Sequence, residues 1–277
     1  MMVLPTLARP APRVPRRRPA RGRLRGGAVL LPLAALAVAV ALQEALTRTG
    51  VLPGSYFPPA SQTAAALLVE LGGATLWQTL GSTVSTWLLA LLIAVPLGTA
   101  VGTVLGLVRP VEAFLRPVVE FLRPIPSVAL IPLVVLTIGT SARSALFLAV
   151  FASFWQVLVP AIAGVRSAHP IALDTARSYS FTLWQRLRWV QLAAMLPHLA
   201  TATRLATSTS LILVVTAEII IGIPGLGHEI TMSRSVGNPA RMYAYIVVSG
   251  VAGIVINAVV KRLERALFVS HGIGAQA

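Results

Sequence analysis

Residues 77–108 read WQTLGSTVSTWLLALLIAVPLGTAVGTVLGLV and contain no charged side chain. A helix of about 20 apolar residues crosses the hydrocarbon core of a bilayer, so this block can span it with some tilt. The whole chain shares this character, with 56% hydrophobic residues, 11% charged residues and a mean hydropathy of +0.81. Soluble domains carry about 25% charged residues. The composition therefore excludes an ordinary soluble fold and predicts an all-α, polytopic membrane protein.

Further apolar blocks lie on both sides of this one, separated by polar or Pro/Gly-rich stretches. We predict a transmembrane domain over residues 28–265, between a basic tail (1–27) and a C-terminal tail (266–277). Its six transmembrane helices are expected at about 28–46, 77–108, 125–139, 145–165, 198–222 and 243–260. A mildly amphipathic stretch at 61–71 predicts a short external helix. Glycines at four-residue spacing in the second span predict close helix packing at Gly98, Gly102 and Gly106.

The basic residues are distributed unevenly, and eight of the 22 arginines lie within residues 1–27. A formal net charge of +15 first raises the question of nucleic-acid binding. The positions instead follow the positive-inside rule, since of the 23 basic residues four fall outside in the predicted topology: Arg48, Arg143, Arg234 and Arg241. We therefore predict a multi-pass inner-membrane protein without a nucleic-acid partner. Its disordered N-terminal tail and the polar 166–188 segment are expected to be cytoplasmic.

Titratable and metal-binding side chains are too sparse for a catalytic site. The chain has eight acids, four scattered histidines without ligand spacing, and no cysteine. Disulfides and thiolate chemistry are thereby excluded. A phosphate-binding G-x-x-x-x-G-K-[ST] loop is missing, so any nucleotide must be hydrolysed by another polypeptide. We expect no catalytic residue, metal or cofactor in this chain.

Two ionisable residues lie within the predicted fifth span, where a charge costs about 2.5–3.5 kcal/mol at mid-membrane. Arg204 is expected near the cytoplasmic end, and Glu218 lies about 21 Å further along the helix, too far for the two to pair. Arg204 either extends to the inner interface, contacts carbonyls of the preceding loop or belongs to the translocation path. Glu218 faces either the translocation route or a polar interhelical partner. Both are candidates for a translocation path or gate.

Three stretches resemble recurrent blocks of ABC importer permeases, specifically the nitrate, sulfonate and taurine group. They are RPVVEFLRPIPSVALIPLVVL (116–136), VLVPAIAGVRSAHPIALDTARS (157–178) and a longer stretch at 172–227 that ends in IIIGIPGLG. The resemblance implies a type I importer permease fold with six transmembrane helices. It implies a non-catalytic translocation subunit of an ATP-driven importer. The implied cargo is a small solute such as nitrate, a sulfonate, taurine or a similar organic anion or zwitterion.

The cytoplasmic segment contains the positions that correspond to the family's coupling loop. There the family has Glu-Ala-Ala and a later Gly, and this chain has Asp174, Thr175, Ala176 and Ser180. The resemblance implies a short helix that docks in a groove of the ATPase and transmits its motion. Because Ala176 and Ser180 are four residues apart, we expect both small side chains on one helix face, with Ala176 at the closest approach.

Other family positions are partly retained. Leu192-Ala193 departs from the family's Leu-Pro, whereas the matching positions are Pro197, Arg204, Glu218 and the Gly-Leu-Gly turn at 225–227. The substitutions at Thr175 and Ser180 leave two arrangements open. The chain forms a homodimer, or it pairs with a different permease that supplies the stronger coupling loop.

The implied partners are an ABC ATPase subunit, an extracytoplasmic solute-binding protein and a second permease copy, all assembled at the lipid bilayer. The alternative function is a multi-span membrane enzyme or assembly factor without an ATPase partner. That function needs polar residues clustered at one membrane face. A secondary transporter would need ionisable residues near mid-membrane and internal repeats, and neither is evident.

Overall fold

The computed structural model describes residues 27–270, with side chains for 31–266, and every regular element in this range is helical. The predicted basic tail lies almost entirely outside the described residues, as does the end of the C-terminal tail. A 3₁₀ turn precedes α5, and a π turn joins α8 to α9. The helices are α1 (Gly27–Arg48), α2 (Ala60–Leu71), α3 (Ala74–Leu107), α4 (Arg109–Leu122), α5 (Ile131–Ile138), α6 (Ala142–Arg166), α7 (Pro170–Ser178), α8 (Leu183–Arg186), α9 (Leu192–Ile221), α10 (Leu226–Ser235) and α11 (Pro239–Ser270).

Five predicted spans coincide with helices that are long and apolar enough to cross a membrane, namely α1, α3, α6, α9 and α11. The span predicted at 125–139 differs, because α5 has only 8 residues and follows α4 across a bend of 83°. Proline explains this break, since Pro124 and Pro126 lack backbone donors and clash with a preceding helical turn. A sixth crossing exists only if the bent α4–α5 pair counts as one.

The core of the subunit is formed by α3, α6 and α9, in which α6 lies between the other two and packs extensively against both. The glycine face of α3 explains the close approach to α6. A Cβ added at Gly102 would lie 2.5 Å from the Cβ of Ala161, and one at Gly98 would lie 2.9 Å from the Cβ of Val157. In a bilayer, small residues let helix backbones approach and gain packing energy. The predicted packing face is confirmed.

An ion cluster ties α2 to α10 and α11. The Arg241 guanidinium donates to Glu70 at 2.7 Å and to Glu229 at 3.1 Å, and the Tyr245 hydroxyl donates to Glu70 at 2.7 Å. Burial alone raises the pKa of Glu70. The hydrogen bonds from Tyr245 and Arg241 and the guanidinium charge outweigh burial and hold that pKa below its ordinary value of 4.5. The short helix predicted at 61–71 is present, and charge pairs fix its position.

Helix α1 stands apart from the other described helices. Its side chains from 31 to 42 are all exposed, and its contacts are with α2. Near the end of α1, Glu44 accepts hydrogen bonds from the Ser61 backbone N–H at 3.0 Å and the Ser61 hydroxyl at 2.8 Å. An apolar helix exposed in this way must be covered by lipid or by another subunit.

Candidate functional site

The predicted coupling segment begins as the short helix α7. Pro170 occupies its first turn, where a missing N–H is harmless, and His169 Nδ1 accepts a hydrogen bond from a backbone N–H two residues on at 3.3 Å. Asp174 and Thr175 are exposed, and Asp174 pairs with Arg177 at 3.0 Å. These two predicted coupling residues are therefore accessible from outside the subunit.

Helix α7 ends before Ser180, whose φ of +57° is left-handed. The Phe181 N–H donates to the carbonyl of Ala176, and the Ser180 N–H donates to that of Arg177, both at 2.9 Å. These two bonds form a Schellman motif, which commonly has glycine at the left-handed position. The expectation that Ala176 and Ser180 share one helix face is therefore wrong. The helix has already ended at Ser180. The family has glycine at this position because glycine adopts the left-handed conformation without steric cost.

The exposed surface of the segment differs from the predicted one. Ala176 is only 5% exposed, so its methyl group packs inside the subunit, which corrects its expected position at the closest approach to a partner. Four large side chains that the sequence pattern did not single out are 64–77% exposed here: Tyr179, Leu183, Trp184 and Trp189. Large apolar side chains that remain exposed in one short segment are available for contacts with protein or membrane. We call these three aromatic residues together with Leu183 the aromatic surface.

After the turn at 179–182, a second helix begins and continues into α9. Thr182 and Gln185 form a capping box, in which each backbone N–H donates to the other's side chain, at 2.8 and 3.3 Å. The backbone then stays helical from Leu183 to Ile221 through a single π turn. At 1.5 Å per residue this continuous helix is about 57 Å long. Arg204 and Glu218 therefore lie on the same continuous helix as most of the aromatic surface, and Tyr179 lies just before its start.

Arg204 pairs with an acidic residue, a contact that the interpretations offered by the sequence did not include. Its guanidinium donates to Glu264 of α11 at 2.6 Å, and the Glu264 residue is 8% exposed, whereas the Arg204 side chain is about half exposed. One turn further along α9, the Ser208 hydroxyl donates to the Asn257 side chain at 3.2 Å. These contacts hold α9 against α11.

Glu218 is 1% exposed and lies between three helices. Its carboxylate accepts hydrogen bonds from the Thr83 hydroxyl, at 2.8 and 3.0 Å, and from the Gly227 N–H at 2.9 Å. The Thr83 oxygen accepts in turn from the Leu226 N–H at 2.9 Å. The first N–H groups of α10 lack partners within the helix, and side chains from α3 and α9 satisfy them. The sequence left open whether Glu218 faces the translocation route or a polar partner on another helix. In the structure its carboxylate has polar partners on α3 and α10.

The Gly-Leu-Gly turn is shaped around this carboxylate. A Cβ added at Gly225 would lie 2.5 Å from Glu218 Oε2 and closer still to the carboxyl carbon and Oε1. A Cβ at Gly227 would lie 2.8 Å from the Glu218 Cβ and closer still to the Val215 carbonyl. A side chain at Gly225 would therefore displace Glu218, and one at Gly227 would also push against the α9 backbone. We call Glu218, Thr83, Gly225 and Gly227 the carboxylate cradle.

Comparison with known proteins places this architecture among transport proteins. A family model described as a binding-protein-dependent transport system inner membrane component matches residues 94–269. The matched region begins within α3 and includes the coupling segment, Arg204, Glu218 and the Gly-Leu-Gly turn.

Three relatives are similar to the chain over half or more of its length. The taurine transport system permease protein of Escherichia coli is 30% identical over 249 residues, which cover 88% of this chain and 90% of that protein. A riboflavin transport system permease protein of Chloroflexus aurantiacus is 27% identical over 86% of this chain and 88% of its own length. A putative aliphatic sulfonates transport permease protein of Bacillus subtilis is 26% identical over 58% of this chain and 59% of that protein.

A solved structure shares the fold. An inward-facing methionine ABC transporter superposes with a TM-score of 0.56 at 21% sequence identity, covering 72% of this chain and 95% of the matched one. At this identity the likeness concerns the arrangement of helices.

Proposed function

The chain belongs to the binding-protein-dependent transport system inner membrane component family, and we propose that it carries a small sulfonate or similar anionic or zwitterionic solute. It is the membrane-spanning subunit of an ABC importer, and a separate ATPase subunit hydrolyses ATP. The relative with the highest identity of the three carries the name of taurine, a sulfonate, and another that of aliphatic sulfonates. The riboflavin relative means that family membership alone does not select the solute.

One observation carries the coupling part of this proposal: the exposed helix α8 is continuous with the helix that holds Arg204 and Glu218, and a four-residue turn at 179–182 joins α7 to it. We propose that α7, with Asp174 and Thr175, and the aromatic surface dock on the ATPase. A push on α8 acts directly on α9, because the two are one continuous helix, and α7 is joined to them by the hydrogen-bonded turn at 179–182. The carboxylate cradle and the Arg204–Glu264 pair would then transmit the movement of α9 to α3, α10 and α11. In this way Arg204 and Glu218 would control the gate by moving the helices that form it.

We further propose that two copies of this chain form a homodimer with the N-terminus in the cytoplasm. Ser180 adopts the left-handed conformation of the glycine that it replaces, and both bonds of the Schellman motif are present. The substitution therefore leaves the loop geometry intact, which favours two equivalent docking segments over one strong and one weak segment. The excess of arginines in residues 1–27 and in the 166–188 segment supports this orientation.

The test is reconstitution of the chain as the sole permease with an ABC ATPase and a solute-binding protein. We expect ATP hydrolysis to be stimulated by the binding protein loaded with a sulfonate. Thr175→Arg, which adds bulk and charge on the exposed face of α7, should reduce ATPase copurification several-fold. Gln62→Arg on exposed α2 is the matched control and should have no effect. Equal ATPase recovery for both variants would refute docking by α7.

Orientation is tested separately with single cysteines, because the native chain has none. A cysteine at exposed Ser178 should be protected from an impermeant thiol reagent in intact cells, whereas one at exposed Gln62 should react. The opposite pattern would show that the orientation is inverted.

A further inference from the structure

A cavity of about 410 Å³ opens between the α4–α5 bend, α6 and α9. Its polar lining consists of Arg123 and Ser127 from the bend, Trp155 and Gln156 from α6, and Thr209 from α9. The rest of the lining is apolar, and no carboxylate contributes to it. Every one of the five polar side chains can donate a hydrogen bond, and one of them carries a positive charge.

Two of these donors, those of Arg123 and Trp155, lack a partner among the described residues. Within the described side chains 31–266, the Arg123 guanidinium makes no ion pair, although arginines elsewhere in the chain pair with acids, as Arg204 and Arg241 do. The indole Nε1 of Trp155 is buried and has no hydrogen-bond partner among the described residues. Because this nitrogen is buried, a solute would reach it only after a local rearrangement, and the exposed donors of the cavity are those of Arg123 and Gln156.

The position of the cavity suits a wet passage better than a lipid-facing surface. Gln156 is exposed and lies ten residues before the end of α6, about 15 Å along the helix. The adjacent bend between α4 and α5 leaves irregular backbone beside the cavity. Polar side chains and irregular backbone at membrane depth are tolerated only where they are buried in protein or line an aqueous cavity.

We propose that this cavity binds the transported solute during its passage and selects for a small oxyanion. The planar Arg123 guanidinium matches a sulfonate, carboxylate or nitrate group, and the neutral donors supply the remaining hydrogen bonds. The anion is the aqueous solute and not a lipid headgroup, because the cavity lies well inside the apolar length of α6. This inference rests on the proposed transport function and adds a solute-binding site to it.

The test uses thiol reagents of different charge on the assembled complex. A single cysteine is introduced at Thr209, and its modification by a sulfonate-bearing methanethiosulfonate is compared with that by a trimethylammonium-bearing one. Rates are normalised to the neutral hydroxyethyl reagent. We expect the anionic reagent to react at least about tenfold faster than the cationic one, because a nearby guanidinium favours it and disfavours the other.

The source of the preference is tested by two substitutions in this background. Arg123→Gln should reduce the anion preference at least about threefold, and Arg123→Lys should retain most of it. Arg116→Gln is the matched control on α4, because that guanidinium pairs with Glu120 at 2.8 Å and does not line the cavity. Its preference should equal that of the parent.

Three outcomes would overturn the inference. They are equal rates for the two charged reagents, a preference that survives Arg123→Gln, and no reaction of the neutral reagent at either Thr209→Cys or Gln156→Cys. Nanodiscs of phosphatidylcholine with and without phosphatidylglycerol should give the same preference, and its loss with the anionic lipid would assign the site to a headgroup. Labelling needs no transport, so sulfonate-stimulated ATP hydrolysis without a charge preference would reject this site and leave the proposed function standing.

Discussion

Replacing Gly225 by alanine should destabilise the subunit by displacing a carboxylate 7 residues earlier in the chain. The new Cβ would lie 2.5 Å from Glu218 Oε2, whereas non-bonded carbon atoms prefer about 3.5–4.0 Å. The carboxylate must therefore retreat by about 1 Å, which stretches its bonds from Thr83 and Gly227, now 2.8 to 3.0 Å long, past hydrogen-bonding range. Hydrogen bonds to a charged group contribute about 1.5–3 kcal/mol each.

Loss of these bonds leaves a buried carboxylate without its partners, for which about 3–5 kcal/mol is typical. For a chain of this size that corresponds to a fall of roughly 6–20 °C in the midpoint of thermal unfolding. The assay is the fraction of chain that stays monodisperse after the detergent-solubilised complex has been heated. Gly250→Ala is the matched control, since no atom lies within 4 Å of its added Cβ in α11. It should be neutral or stabilising by up to about 1 kcal/mol.

A double-mutant cycle separates this mechanism from a general effect on the turn. In a Glu218→Ala background the added methyl group no longer meets a carboxylate, so Gly225→Ala should cost less than about 1 kcal/mol there. The Gly225 backbone is extended and open to any residue type, so strain does not contribute. If Gly225→Ala costs the same with and without Glu218, or no more than Gly250→Ala, the cradle does not stabilise the turn.

Three further predictions concern the coupling loop, the α9–α11 contact and the ion cluster. Ser180→Gly should raise stability by about 0.5–1 kcal/mol in thermal unfolding, because relief of a left-handed residue exceeds the added unfolded-state entropy; a decrease would contradict this. Arg204→Ala should destabilise by about 2 kcal/mol and leave Glu264 uncompensated, whereas the double change to leucine should recover most of the loss; no recovery would argue against the pair. Glu70→Gln should destabilise by about 1–2 kcal/mol at neutral pH. Since the folded pKa of Glu70 is lowered, that difference should persist above pH 4.5 and shrink as pH falls further, and a constant difference would rule out ionisation of Glu70.

Hydropathy was sufficient to locate most of the helical spans but not the broken one. The block at 77–108 corresponds to α3 within three residues at each end, since an uninterrupted apolar run has one stable form in lipid. The block at 125–139 is equally apolar, yet Pro124 and Pro126 break the helix beside it. Their positions were visible in the sequence, and the proline rule would have predicted the bend.

The polar contacts between helices could not be predicted from local sequence patterns, because they join residues far apart in the chain. Glu218 and Thr83 are 135 residues apart, and Arg204 and Glu264 are 60 apart. No periodicity within one helix identifies its neighbours, so the cost of a buried charge predicted that partners exist but not which they are. At Ser180 a signal was available, because a family glycine just after a helix often marks a left-handed residue.

The attachments of α9 determine which movements it can make. Glu218 fixes the C-terminal part of α9 to α3 and to the start of α10, and Arg204 fixes its N-terminal half to α11. Sliding along the helix axis would break at least one of these polar contacts, whereas tilting about these attachments keeps both. Apolar neighbours impose a weaker restraint, since lipid tails are as apolar as the side chains that they would replace. We therefore expect a push on α7 and α8 to tilt α9, and α10 to follow because its first N–H groups are held by the cradle.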